Sequence, residues 1–315
     1  MAPLEPLDPG LFRPTEGFAR APVAGDLAAA RLVVLGLPFD MGVDPERVGA
    51  RLGPAGIRAQ ARRLKRFYPP FGTEDPVVAL GLIDIGDAQV QPGRIAPSFA
   101  AMEAAVAAVA RAGPRTLTMG GDGSVTLPQL RALSRRFPDL AVLHFDAHTD
   151  TNPPPAPDAH TTGTTFTYAA EEGLIDVARS FHVGARGPAT LPNGLDYTRG
   201  HGYRVVAMED LRTRGFADLL AEIHDCLAGR PVYLCWDMDV FDASVAPGVC
   251  DPTWGGFSAQ EGFDLLHGLA GLDLVAFDVN TVSPPHDVGG MTAHLAGIVM
   301  ALCLHLALKG PAPED

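Results

Sequence analysis

The stretch Leu140-Ala141-Val142-Leu143-His144-Phe145-Asp146-Ala147-His148-Thr149-Asp150 places an apolar run directly before a group of polar side chains. In an extended backbone, residues two apart project to the same side, so Asp146, His148 and Asp150 are expected to converge just past the end of a strand. Two carboxylates and one imidazole at this spacing are typical of a divalent-metal site. The stretch therefore predicts a buried strand that ends in metal ligands.

A second motif of the same kind lies further along the chain. The run 231–236 is strand-like, and it is followed by Asp237 and Asp239, again two carboxylates on one side. Together the two motifs supply four carboxylates and one imidazole, which favour hard or borderline divalent ions such as Mn, Ni or Zn. Asp237 and Asp239 therefore join the first three residues as predicted metal ligands.

The rest of the chain alternates short β-rich runs with helical segments. Predicted strands cover residues 31–37, 83–85, 116–119, 140–145, 181–183, 204–207, 231–236 and 274–278, and predicted helices cover 54–63, 97–111, 127–136, 216–227 and 258–269. This alternation predicts an α/β fold with a mostly parallel central sheet covered by helices on both faces. In such sheets, sites form at the carboxyl ends of strands, where both acidic motifs fall.

Length and composition predict one globular unit. Residues 1–26 are rich in proline and predict an extended N-terminal arm, which in an oligomer could lie across a neighbouring subunit, and residues 27–315 predict a single domain. The net charge of −13 argues against a nucleic-acid surface. The apolar run 295–304 is far shorter than the roughly 20 residues of a membrane span, so it predicts a core helix and no membrane partner.

The cysteines and the N-terminus bear on location. The four cysteines form no CxxC pair, which favours neither a zinc ribbon nor a disulfide scaffold. No apolar run follows a basic cluster near the N-terminus, so no signal peptide is expected. The sequence therefore predicts a reduced, cytoplasmic setting.

At this point the ordered motifs resemble those of a known family. They are Gly49 to Pro54, Gly120-Gly121-Asp122, Asp146 to Asp150, Asp237 to Asp242, Ala246-Pro247-Gly248, Gly255-Gly256 and Ser283 to Asp287. They resemble the ureohydrolases, the arginase and agmatinase group, and most of all the bacterial agmatinase and proclavaminate amidinohydrolase branch. The resemblance implies a three-layer α/β/α arginase-like fold and a dinuclear Mn or Ni centre, whose bridging water attacks a guanidinium carbon and releases urea.

The resemblance also implies roles for the individual ligands. Asp146 and Asp237 would bridge the two ions, and His148 and Asp239 would complete one metal site. Asp150 would serve the other site.

Three positions depart from the family pattern. The family's metal-binding histidine is replaced by Gly123, and its proton-transfer histidine is replaced by Thr162, with His160 two positions earlier as a candidate substitute. The glutamate that receives the substrate's guanidinium in the family is replaced by Thr281, and Asp251 is a candidate for supplying the missing carboxylate. The resemblance therefore implies a first metal site that is complete and a second that lacks a ligand.

Cys250 stands in a segment where the family carries a threonine-containing Thr-Gly-Thr sequence. Two interpretations are open for it. The thiol could act as a nucleophile or replacement ligand, or it could be a small buried side chain without chemistry.

The departures favour a catalytically impaired subunit that binds one divalent ion or none. It would support an active homologous subunit in a trimer- or hexamer-type oligomer that hydrolyses a small guanidine or biguanide compound. Metformin hydrolases resemble this arrangement, being assemblies of two ureohydrolase paralogues. Two alternatives remain open: an active amidinohydrolase with an altered mono- or dinuclear centre, and a non-enzymatic binding or structural protein.

Overall fold

The computed structural model describes residues 8, 10–13, 15–23, 26–41, 46–189 and 191–311. The strands in this part of the chain are β1 (Phe12–Arg13), β2 (Leu32–Gly36), β3 (Ile83–Ala88), β4 (Arg115–Met119), β5 (Ala141–Phe145), β6 (Phe181–Val183), β7 (Arg204–Val206), β8 (Pro231–Asp237) and β9 (Asp273–Asn280). The α-helices are α1 (Gly53–Ala61), α2 (Pro76–Ala79), α3 (Ile95–Ala112), α4 (Thr126–Leu133), α5 (Thr165–Glu171), α6 (Gly194–Gly200), α7 (Met208–Arg214), α8 (Phe216–Leu227), α9 (Ala259–Gly268) and α10 (Met291–Lys309).

All of these strands belong to one sheet, in the order β1-β3-β2-β4-β9-β8-β5-β6-β7. Within this set of strands, only the pairing of β1 with β3 is antiparallel, and every other neighbouring pair is parallel. The predicted mostly parallel sheet is confirmed.

Two apolar layers cover the two faces of the sheet. Along β5 the side chains alternate, so that Leu143 and Phe145 join the layer formed with α1, α8, α9 and α10, whereas Val142 joins the layer formed with α3 and α4. A strand buried on both faces is typical of a parallel sheet that lies between helices. The three-layer α/β/α fold is therefore confirmed.

Helices α3 and α10 are long and apolar enough to cross a membrane by length and composition alone. The apolar window of α10 is 72% buried inside the protein, and α3 turns Phe99, Met102 and Val106 into the core. The core helix predicted at 295–304 is thus confirmed as part of α10.

The N-terminal segment contacts the edge of the sheet where it is described. Phe12 is buried in β1, and the fully buried Phe18 donates its backbone N–H to Asp84 at 2.8 Å. Most of the arm's prolines and residues 1–7 lie outside the described residues. The arm that reaches a neighbouring subunit stays a prediction.

Candidate metal centre

The candidate site lies at the carboxyl edge of four neighbouring strands, β4, β9, β8 and β5. Gly123 follows β4, Thr281 follows β9, Asp237 ends β8, and Asp146 follows β5. The crossovers that make the sheet parallel bring these positions together, although they lie far apart along the chain.

Asp146, His148 and Asp239 form one compact cluster, which we call the triad. Their ligand atoms all lie within 4.8 Å of one another. His148 Nδ1 is 3.2 Å from Asp146 Oδ1 and 3.3 Å from Asp239 Oδ2. An imidazole nitrogen between two carboxylate oxygens is a suitable donor set for one divalent ion.

Backbone amides hold the carboxylates of the triad in place. Asp146 Oδ1 accepts the N–H of His148 at 2.7 Å, and Asp239 Oδ1 accepts the N–H of Ala147 at 3.0 Å. Asp237 Oδ1 accepts the N–H of Asp239 at 2.8 Å. In the Asp-x-His and Asp-x-Asp motifs, the first carboxylate therefore bonds the backbone two residues on and fixes the turn.

The three residues of the triad shift one another's pKa values. Burial raises the pKa of Asp239 to about 7, with the Asp146 carboxylate adding to the effect. Burial also acts on Asp146, but His144 and His148 outweigh it and hold the pKa of that carboxyl well below its usual range. Burial opposes charge on His148, yet Asp239 and Asp146 raise its pKa well above the ordinary value. An imidazolium paired with a carboxylate thus neutralises the triad in part.

Asp150, Gly123 and Thr162 line the same cavity, and we call them the glycine side. A Cβ built on Gly123 would lie 2.7 Å from Asp150 Oδ2 and 4.0 Å from Thr162 Cβ. The two positions where the family resemblance expects histidines are therefore spatial neighbours. Here neither carries an imidazole.

Asp150 sits in the left-handed backbone region, with φ of 46°, and is partly buried. Burial raises its pKa well above the ordinary value, and the Asp146 carboxylate adds to that effect. The raised pKa favours the neutral form of this carboxyl, although the His148 charge opposes it.

Thr281 contacts Asp237, the remaining predicted metal ligand. Its hydroxyl oxygen lies 2.5 Å from Asp237 Oδ1, and its backbone is also left-handed, with φ of 67°. Burial and the Asp239 and Asp146 charges raise the pKa of Asp237 well above its ordinary value, while the Thr281 hydrogen bond lowers it. A hydroxyl thus binds Asp237 at the position where the family carries a glutamate.

These groups line a cavity of about 380 Å³. It contains the triad, the glycine side, Asp237 and Thr281, together with Cys250 and Asp251. Arg47 also lines it, but its guanidinium donates to the carbonyls of Pro247 and Val249, both at 2.8 Å. Sequence reasoning assigned no role to Arg47, and its one signal was the Gly-rich loop in which it lies.

The remaining candidate residues from the sequence are Asp251, Cys250 and His160. Asp251 Oδ2 is 3.4 Å from His148 Nε2, so it contacts a triad histidine rather than Thr281. Cys250 Sγ lies 3.6 Å from the Thr281 carbonyl, and burial and the Asp122 charge raise the pKa of its thiol well above the ordinary value, which disfavours a nucleophilic thiolate. The ring of His160 packs between Phe99 and Tyr168, away from the cavity lining.

His144 is buried in β5 and contacts a carboxylate of the triad. Its Nε2 lies 3.0 Å from Asp146 Oδ2, while Nδ1 faces His182. The signal was available in the sequence, because His144 precedes Asp146 by two residues and so projects to the same side of the strand.

The residues of the triad fit a divalent ion. The triad offers three donors within 4.8 Å, and Asp146 Oδ2 has no well-aligned hydrogen bond among the described residues. On the glycine side, the described residues place no nitrogen ligand beside Asp150. The fold and the site therefore define an α/β protein with an acidic, histidine-containing candidate metal cluster at the carboxyl edge of its sheet.

Comparison with known proteins defines the family. A sequence profile described as the arginase family matches residues 30–305. The chain is 38% identical to guanidinopropionase from Pseudomonas aeruginosa over 305 residues, which cover 96% of this chain and 95% of that protein. The structure of proclavaminate amidinohydrolase from Streptomyces clavuligerus aligns with a TM-score of 0.89 at 33% identity, covering 96% of this chain and 99% of that one. The chain belongs to the arginase family, which confirms the predicted resemblance.

A third relative bears on the metal. A single-residue variant of Trypanosoma cruzi formiminoglutamase, solved with Mn²⁺, aligns with a TM-score of 0.78 at 25% identity, covering 90% of this chain and 93% of that one. Arginase-family proteins use divalent metal ions, and the triad is the corresponding candidate site in this chain.

Proposed function

We propose that this chain is a ureohydrolase subunit with an impaired metal centre, which supports an active homologous subunit in a mixed oligomer. The oligomer hydrolyses a small guanidine or biguanide compound and releases urea. The observation that carries the proposal is the glycine side, where Gly123 and Thr162 adjoin Asp150 without an imidazole.

The missing imidazoles affect two chemical steps. A nitrogen ligand at Gly123 would help to hold the second ion. Loss of a residue that hydrogen-bonds a metal ligand lowers metal affinity by roughly 10- to 100-fold, and loss of the ligand itself should lower it by at least as much. A histidine at Thr162 would move a proton at the cavity wall. With both absent, the chain keeps a place for one ion and lacks the pair that would activate a shared water.

Thr281 supports the same proposal from the substrate side. A guanidinium cation entering the cavity finds a hydroxyl, already bonded to Asp237, where the resemblance expects a carboxylate. A charge-assisted hydrogen bond lost there is worth roughly 1.5 to 3 kcal/mol. The substrate class itself is supported by the names of relatives such as guanidinopropionase and agmatinase.

Assembly and setting are part of the proposal. The active partner is a second ureohydrolase chain, in a trimer or hexamer to which the N-terminal arm 1–26 contributes, and the bound ion is Mn²⁺ or Ni²⁺. The free state of Cys226, Cys235, Cys250 and Cys303 supports a reducing, cytoplasmic setting.

Coexpression tests the proposal. The chain is purified alone and together with each ureohydrolase homologue encoded beside it, and urea release is measured on guanidine and biguanide compounds. We expect release only from the mixed oligomer. Urea release by this chain alone, at a rate comparable with that of the mixture, would refute the proposal.

The intact triad favours a second candidate, an active amidinohydrolase that uses an altered mono- or dinuclear centre. Metal analysis of the purified chain separates the two candidates. Two tightly held ions per chain, or one ion with turnover in the absence of any partner, would favour this second function over the first.

A further inference from the structure

Two histidines lie side by side inside the sheet, directly behind the triad. The parallel pairing of β5 with β6 sets His144 opposite His182, and the side chains are 2% and 0% exposed. Their Nδ1 atoms are 2.9 Å apart. The proposed function uses neither ring, although burying two imidazoles in the core is costly unless their polar atoms are paired.

The first ring contacts a ligand of the candidate metal centre. His144 Nε2 lies 3.0 Å from Asp146 Oδ2. No better donor reaches this oxygen from the described residues. The other oxygen, Oδ1, accepts the His148 N–H and faces His148 Nδ1. The two oxygens of Asp146 therefore have different roles: one faces the triad and the other faces His144.

Only one proton fits between the two Nδ1 atoms, so the contact fixes the tautomers as a pair. Burial, with a smaller contribution from His144, lowers the pKa of His182 well below the ordinary value, and the ring is neutral. Its Nε2 has no hydrogen-bond partner among the described residues. Burying an unpaired acceptor nitrogen costs less free energy than burying an unpaired N–H donor. The proton of His182 therefore belongs on Nδ1, which has a partner, and Nε2 is the unpaired acceptor.

Aromatic rings hold both imidazoles in orientation. Phe166 packs 4.5 Å from the His144 ring and 4.9 Å from the His182 ring, and Tyr203 packs 4.6 Å from His182. The Tyr203 hydroxyl donates to the Phe166 carbonyl at 2.7 Å. Both imidazole rings are therefore packed against aromatic side chains in the core.

We propose that His144 and His182 are positioning residues for the metal ligand Asp146: His182 Nδ1–H donates to His144 Nδ1, and His144 Nε2–H donates to Asp146 Oδ2. Asp146 Oδ1 is then directed at the ion. This inference goes beyond the proposed function, because it concerns how the chain binds its ion and holds whether or not the chain turns over a substrate.

The tautomers are tested first, on the unaltered metal-free chain. Selective ¹⁵N labelling of histidine with long-range ¹H–¹⁵N correlation spectra distinguishes protonated from bare ring nitrogens. We expect the Nε2–H tautomer for His144 and the Nδ1–H tautomer for His182. A proton on Nε2 of His182 would reverse the direction of the contact and overturn the proposal.

Metal affinity is the second test, with Mn²⁺ as the probe in calorimetric titrations of the purified chain. His144→Leu removes the donor, and we expect the dissociation constant to rise about 10- to 100-fold. His144→Gln keeps an N–H near the position of Nε2 and should recover most of that loss. The matched control is His305→Leu, at a buried histidine of α10 that stacks on Phe71, which should lower the melting temperature without changing Mn²⁺ affinity.

Equal Mn²⁺ affinity in His144→Leu and the unaltered chain would overturn the proposal, as would the absence of saturable Mn²⁺ binding by the unaltered chain. Urea release by the chain alone, which would refute the proposed function, changes neither readout. The tautomer measurement needs no substitution, so it decides the matter even where a variant fails to fold.

Discussion

The triad and the glycine side line one cavity and differ in how they are completed. In the triad, His148 stands between two carboxylates at 3.2 and 3.3 Å, and each carboxylate is tied to a backbone amide. On the glycine side, Asp150 faces a position without a side chain at Gly123. Both positions are present in the fold, but only the triad has a full set of donor side chains.

The largest effect should come from removing a ligand on each side in turn. His148→Asn should weaken Mn²⁺ binding by at least about 100-fold, since it removes the nitrogen of the triad. Asp150→Asn should change it by less than about 3-fold, because this carboxylate has no completed site. Calorimetric titration measures both variants. A loss of affinity in Asp150→Asn equal to that in His148→Asn would show that the glycine side also binds the ion.

The next effect concerns the loop that carries the triad. Arg186 donates to the carbonyls of Asp239 at 2.7 Å and Thr253 at 2.8 Å. Arg186→Met should lower the free energy of unfolding by about 2 kcal/mol, because these carbonyls lose a charged donor. Urea denaturation measures it, with the exposed Arg94→Met as a control expected within about 0.5 kcal/mol. Equal values for the two variants would contradict this role.

Thr281 offers a test at the shared carboxylate. Thr281→Val removes the hydroxyl at 2.5 Å from Asp237 while keeping a β-branched side chain of similar shape. We expect a loss of about 1.5 kcal/mol in the free energy of unfolding of the metal-free chain. The control is Thr213→Val, whose hydroxyl bonds a backbone carbonyl on an exposed helix. Unchanged stability in Thr281→Val would mean that Asp237 does not depend on this contact.

The pH dependence of stability follows from the triad. Burial and the Asp146 charge raise the pKa of Asp239 to about 7, above the unfolded value near 3.8, so the folded chain binds this proton more tightly. The stabilisation from this proton is present at low pH and is lost as the pH rises toward 7. Over that range the free energy of unfolding falls by at most about 1.4 kcal/mol per pH unit. Asp239→Asn should therefore have a flatter stability curve between about pH 4 and pH 7. Parallel curves for the two chains would contradict the shift.

The smallest effect should come from restoring the glycine side. Gly123→His places an imidazole beside Asp150, whose Oδ2 must move because even a Cβ would lie 2.7 Å from it. We expect a second Mn²⁺ site, at least about 10-fold tighter than any second binding in the unaltered chain. Gly123→Leu fills the space without a donor and serves as the control. Equal gains in both variants would show that the effect is not ligation.

Much of the fold was readable from the sequence because its strands are buried on both faces. The predicted run 231–236 is β8 with Asp237 added, and the helix predicted at 216–227 is α8 without change. The short helices α2, α5, α6 and α7 were missed. They carry weak periodicity, and packing against neighbours decides such segments more than their intrinsic preference.

The candidate site was less completely readable. Spacing and resemblance predicted the ligand positions in the two acidic motifs and the departures at Gly123, Thr162 and Thr281, because those depend on residue identity. Spacing could not predict that Thr281 forms a hydrogen bond with Asp237, or that Asp251 contacts His148. These contacts depend on where loops from different strands meet.

The sequence by itself determined that the chain is an α/β protein with acidic metal-type motifs after two strands, since alternation and the two-residue period are local properties. The resemblance implied that Asp239 joins His148, and the tertiary structure set their contact at 3.3 Å and placed Asp150 beside Gly123. It also placed His182 behind His144, because two strands far apart in the chain pair in register. The residue types near each strand end provide the donor atoms, and the strand order of the sheet determines which of these donors lie close together.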